Sequence, residues 1–187
     1  MKIVPIILAL IFFLGCKSSY PVTGSESSIQ KKAIADSGMV VSGHPLASKV
    51  GIEVMKQGGN AVDASIATQL ALAVVYPRAG NIGGGGFMVY RSAAGEINTL
   101  DYREKAPAAA SKDMYLDANG NPTRQSLEGH LASGVPGTID GHFTAHKKYG
   151  RIAFSKLIDP AIKLAEKGFA ITRDEANRLN STKSIFE

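Results

Sequence analysis

Four consecutive glycines, Gly83 to Gly86, sit in the middle of this 187-residue chain and decide how closely its backbone can approach its surroundings. With no Cβ in the way, such a run lets a loop enter a strand under tight packing, or lets backbone line the wall of a site. The pattern is not a phosphate cradle. Met88 stands where G-x-G-x-x-G requires its last glycine after Gly83 and Gly85, and no Gly-Lys-Ser/Thr follows. Downstream comes Asp101-Tyr102-Arg103-Glu104-Lys105-Ala106-Pro107, an arginine flanked by two acids. A guanidinium fork matches a carboxylate in bidentate geometry. Asp101 and Glu104 either orient Arg103 for such a role or pair with it in a structural ion network. Taken together, the two blocks look like the binding half of an acyl-transfer site.

The flanking elements follow from periodicity and caps. Met39 to Ser42 is a short apolar run with the character of a strand, and His44-Pro45 is a turn. Leu46 to Gln57 carries apolar residues on one helical face and ends at Gly58-Gly59. Asn60 is an N-cap with Asp63 in the first turn, and Ala61 to Val75 is small and apolar nearly all round, as in a buried helix. Gly83 to Arg91 and Glu96 to Tyr102 form a hairpin across Ala93-Ala94-Gly95. A long loop runs from Glu104 to Val135, with a short helix near Ser111 to Tyr115. Helical periodicity resumes from Pro136 to Tyr149. Asp159-Pro160 interrupts the next apolar pattern, Phe154 to Lys167, and Thr172-Arg173-Asp174-Glu175 opens a last helix as a capping box.

The N-terminus has a different character. Lys2 precedes an apolar stretch from Ile3 to Leu14, too short for the roughly 20 residues of a membrane-spanning helix. It reads as a secretory signal over residues 1–15. Leu14-Gly15-Cys16 resembles a bacterial lipobox, with Phe13 where leucine is usual. Cys16, the one cysteine of the chain, is then the lipidation site, and residues 16–38 form a Ser-rich lipid-anchored tether. The protein is accordingly expected to be exported, as a periplasmic or outer-membrane-associated lipoprotein. A formal net charge of +5 is modest and spread along the chain, with no interleaved aromatics and arginines, so no nucleic-acid partner is expected.

Other chemistry finds little support. His142 and His146 are four apart on a helix, but Phe143 occupies the place of the glutamate in H-E-x-x-H. They read as surface histidines, and no metal or other cofactor is expected. No G-x-S-x-G and no glycosidase-like carboxylate pair occurs, so no catalytic residue is assigned within this chain.

Five blocks together carry a resemblance. Ser42-Gly43-His44-Pro45-Leu46-Ala47, Gly58 to Ala64, Gly83 to Met88, Asp101 to Pro107 and Ser133-Gly134-Val135-Pro136-Gly137 resemble, in order and spacing, the γ-glutamyltranspeptidase family. The resemblance covers residues 39–187 and corresponds to the N-terminal part of the large subunit. It implies an α+β fold similar to the N-terminal-nucleophile hydrolases, an αββα sandwich that is incomplete in this chain. It further implies a precursor that cuts itself into large and small subunits. The small subunit's new N-terminal threonine attacks γ-glutamyl amides such as glutathione and passes the γ-glutamyl group to water or an amino acid.

On that pattern Arg103 is the substrate-binding residue that grips the α-carboxylate. The nucleophile and oxyanion donors belong to the small subunit, and Thr172 and Thr182 do not match its motif. This chain alone is therefore expected to be inactive and poorly soluble. The alternative is a non-catalytic truncated lipoprotein remnant that binds γ-glutamyl compounds or a partner. A related acylase acting on another amide fits less well, because Arg103 implies a free α-carboxylate.

Overall fold

Asn60 begins the central element. Its side-chain oxygen accepts the backbone N–H groups of Val62 and Asp63 at 2.9 and 3.0 Å, while Asp63 Oδ2 accepts the Asn60 N–H at 2.9 Å. This reciprocal capping box launches helix α2, Ala61–Val75, whose small apolar residues are buried on several sides. The computed structural model describes residues 33–185. The signal segment, Cys16 and most of the tether thus lie outside the described residues.

Helix α1, Pro45–Lys56, packs along α2. Proline at its first position costs no hydrogen bond, and Gly58, at φ 94°, ends it in the left-handed region. The two helices approach so closely that a Cβ on Gly51 would lie 2.3 Å from Thr68 Oγ1. Helix α4, Phe154–Lys167, covers another side of α2 through Leu157 and Ala161. Helices α3, Thr138–Tyr149, and α5, Arg173–Ser181, are the other α-helices among the described residues.

Among the described residues the sheet is one antiparallel hairpin. Strand β1, Phe87–Arg91, pairs with β2, Ile97–Asp101, in the register Phe87 to Asp101 and Arg91 to Ile97. Met88, Tyr90 and Leu100 face the helical core. Phe87, Val89 and Ile97 face outward, at 61%, 77% and 67% exposure.

The secondary structure departs from the sequence reading in four places. Met39 to Ser42 is extended but unpaired, because the described residues bring no second strand beside it; Val40 alone packs inward. Ser111 to Tyr115 forms turns rather than a helix, anchored by an isolated bridge between Leu116 and Pro122. Strand β1 begins only at Phe87, so the glycine run is loop. Helix α4 runs through Pro160 without interruption. Its apolar face, seated on α2, outweighs the one ladder bond that proline denies to the Lys156 carbonyl.

Candidate substrate-binding site

Arg103 lies two residues beyond β2, and the backbone around it is held on both sides. Asp101 Oδ1 accepts the Arg103 N–H at 3.0 Å. Tyr102 donates to the Gly86 carbonyl at 3.0 Å and accepts from the Gly86 N–H at 3.4 Å, and Lys105 exchanges both bonds with Val135 at 3.1 and 2.8 Å. The arginine is thus carried on a segment zipped to the glycine run on one side and to the approach of α3 on the other.

The glycines make that approach possible. A Cβ on Gly85 would stand 2.7 Å from the Glu104 nitrogen, and one on Gly86 would stand 2.8 Å from the Tyr102 ring. From the α3 side, Gly137 would bring a Cβ within 2.1 Å of the Tyr102 carbonyl oxygen. These separations are too short for any side chain, so the glycines act first through tight packing. The Gly84 carbonyl accepts the Gly137 and Thr138 N–H groups at 2.8 and 3.0 Å, so the run also satisfies donors at the start of α3. Asn81 joins both parts, its Oδ1 accepting the Gly84 N–H at 2.9 Å and the Thr138 hydroxyl at 2.6 Å.

The Arg103 guanidinium is left exposed, 5.8 Å from the Phe87 ring centroid. Among the described residues no carboxylate lies within 4.0 Å of it, so Asp101 holds the backbone instead of forming the ion pair that its position suggested. Beside it lies a cavity of about 380 Å³, bordered by Glu104, Lys105, Val135, Pro136 and Asp140. The arrangement can hold and orient an anion. Among the described residues no group of three or more His, Cys, Asp or Glu is placed to bind a metal ion.

The histidines correct the surface reading. His142 is buried at 3% exposure, its Nε2 donating to Gln69 Oε1 at 2.6 Å, while Nδ1 has no partner. Burial pushes its pKa down from 6.5 to about 4. His146 donates from Nε2 to the Ile152 carbonyl at 2.7 Å. Both side chains pack inward because α3 turns this face to α2 and β2, which helical spacing alone does not reveal. Asn81 was also missed; a polar residue shortly before a glycine run is the only signal that marks it.

The gamma-glutamyltranspeptidase family model matches residues 47–187. This chain belongs to the gamma-glutamyltranspeptidase family. It is similar to the glutathione hydrolase proenzyme of Pseudomonas sp. (strain A14), 53% identical over 154 residues, which cover 82% of this chain and 27% of that protein. The corresponding proenzyme of Escherichia coli (strain K12) is 47% identical over 159 residues, 84% of this chain and 27% of its own length. Among solved structures, Helicobacter pylori gamma-glutamyltranspeptidase superposes with a TM-score of 0.78 at 51% identity, over 82% of this chain and 44% of that one. The chain therefore spans about a quarter of the length of those curated relatives. Its α+β architecture is that of the N-terminal-nucleophile hydrolases and is incomplete over these residues.

Proposed function

We propose that this chain is the N-terminal part of the large subunit of a γ-glutamyltransferase/glutathione hydrolase, which cleaves γ-glutamyl amides and passes the γ-glutamyl group to water or amino acids. The observation that carries this reading is the Arg103 guanidinium, exposed and without a carboxylate partner among the described residues, on a backbone locked beside a cavity. A γ-glutamyl substrate presents a free α-carboxylate, and the arginine fork receives it in bidentate fashion. Because the backbone of the clamp is held, binding energy is spent on orienting the distant amide toward the nucleophile. That nucleophile is the threonine of a small subunit released from the same precursor, a reading supported by the proenzyme names of the relatives. Arg103 binds and orients but does not attack, so these 187 residues assayed alone release no product from glutathione.

The first residues carry the remainder of the proposal: a signal over 1–15, a lipid on Cys16 and a tether to residue 38, which place the protein on a membrane outside the cytoplasm. Metabolic labelling with a fatty acid, lost in Cys16→Ser, tests it; labelling that survives the change removes it.

The function is tested by Arg103→Met in the full precursor, assayed with a γ-glutamyl anilide. Losing charged hydrogen bonds worth about 1.5–3 kcal/mol raises KM by about ten- to a hundredfold, while self-cleavage proceeds. An unchanged KM in the self-cleaved variant refutes the role of Arg103.

A further inference from the structure

Helix α5 begins at a second cavity, of about 240 Å³, which shares no lining residue with the one beside Arg103. His44 before α1, Tyr76 and Arg78 after α2, Phe169, and Glu175 in the first turn of α5 converge on it. None of these residues belongs to the Arg103 site.

Glu175 is the unusual group. It is only 8% exposed, and its Oε1 is fully enclosed with no hydrogen-bond partner. Its capping box is formed on one side only: Thr172 Oγ1 accepts the Glu175 N–H at 3.1 Å, and no bond returns from the carboxylate to the Thr172 nitrogen. A carboxylate oxygen removed from water without a hydrogen bond is costly; Arg178 attracts the group only through space, so a cationic donor on the cavity side still relieves that cost. The neighbouring acid does not share the role, because Asp174 is already bound by Arg178 Nε at 2.9 Å.

Arg78 supplies the opposite charge on another wall. Its Nη2 donates to the Tyr76 hydroxyl, and its guanidinium carbon lies 4.9 Å from the centroid of that ring. One edge of the fork is thereby positioned; Asp174 attracts the guanidinium through space, but no carboxylate among the described residues lies within 4.0 Å of it. His44 adds a neutral donor. Its Nδ1 accepts the Leu46 N–H at 3.2 Å, so the ring proton resides on Nε2. Val75, Phe169 and Ile171 add an apolar wall, and Thr172 and Asp174 are further polar residues of the lining.

We propose that this cavity binds a small α-amino acid as its zwitterion, the ammonium on Glu175, the carboxylate on Arg78 and the side chain against Phe169 and Ile171. The mixed charge excludes simpler occupants. Arg78 repels a bare cation, Glu175 repels a bare carboxylate, and the cavity is too small for a folded partner. This inference stands independently of the function proposed for Arg103.

The test is a methyl-NMR titration of the full precursor, labelled at isoleucine, with L-leucine, n-butylammonium and 4-methylvalerate, read at Ile171. Leucine is expected to saturate the Ile171 shifts at millimolar concentration, and each singly charged probe to bind at least about tenfold more weakly. Glu175→Gln and Arg78→Met are each expected to weaken leucine by about tenfold or more. Arg78 is exposed, so its replacement leaves the core intact and decides the matter even where Glu175→Gln unfolds the chain. Absence of leucine-dependent shifts in the folded protein overturns the proposal. So does equal affinity for n-butylammonium, which makes the site one for any amine, or unchanged leucine binding in Arg78→Met.

Discussion

A Cβ placed on Gly141 would lie 2.2 Å from Cγ of Tyr102, so helix α3 rests directly on the residue that precedes Arg103. No rotamer of alanine escapes this, because a Cβ has none. Gly141→Ala must push Tyr102 out of its seat or part α3 from the glycine run, an overpacking cost of about 1–3 kcal/mol. Gly83→Ala is the matched control: nothing lies within 4 Å of its added Cβ, and its change should stay within about 0.5 kcal/mol. Urea titrations of the two variants check this, and equal midpoints would mean that α3 is not seated on Tyr102.

Asp63 is buried at 0% exposure and joins segments far apart in sequence. Its carboxylate accepts the Asn60 N–H at 2.9 Å and the Arg151 N–H at 3.1 Å, with His146 Nε2 at 3.9 Å. Asparagine in its place turns an amide donor toward donors. Asp63→Asn should therefore cost about 3 kcal/mol, far more than the same change at the exposed first-turn acid Asp174. Comparing urea midpoints of Asp63→Asn and Asp174→Asn tests the assignment.

That bond also marks the limit of what the sequence discloses. Asn60 and Asp63 could be read as a cap and a first-turn acid because both act within one helical turn, and α2 forms between the residues expected. The bond from Asp63 to Arg151 spans 88 residues and leaves no local trace. Arg103 was visible as an arginine between two acids, yet the purpose of Asp101 was not, since a carboxylate two residues away serves backbone and guanidinium equally well on paper. His142 and His146 were assigned to the surface because periodicity shows that two residues share a face without showing where it turns. Pro160 was overweighted for the converse reason: its local penalty is in the sequence, whereas the burial of Leu157 and Ala161 that overrides it is not.

The outer face of the hairpin exposes Phe87, Val89 and Ile97, and among the described residues each strand pairs only with the other. Exposed apolar side chains beside free strand edges promote association between copies. Val89→Lys with Ile97→Lys, on a face that contributes nothing to the core, should lower light scattering of the purified chain without shifting its urea midpoint by more than about 0.5 kcal/mol. Scattering that persists in the double variant would place the aggregating surface elsewhere.

His142 makes stability depend on pH in a direction that its surroundings dictate. Nε2 carries the proton given to Gln69 Oε1, so further protonation falls on Nδ1, which is enclosed without an acceptor beside the edge of the Tyr102 ring at 6.2 Å. The folded pKa is therefore about 4, against 6.5 when unfolded. Between those values the unfolded chain binds a proton that the folded chain refuses, and stability must rise with pH across that window. The contribution is complete above pH 6.5 and is lost progressively as pH falls toward 4, reaching about 2–3 kcal/mol. His142→Gln keeps a polar group near Gln69 and removes the titration. Its stability deficit relative to the parent should thus shrink as pH falls from about 7.5 to about 4.5, since carboxylate contributions are common to both. Urea unfolding of the two proteins at matched pH reads this difference directly, and parallel curves would show that His142 does not titrate out of a buried site.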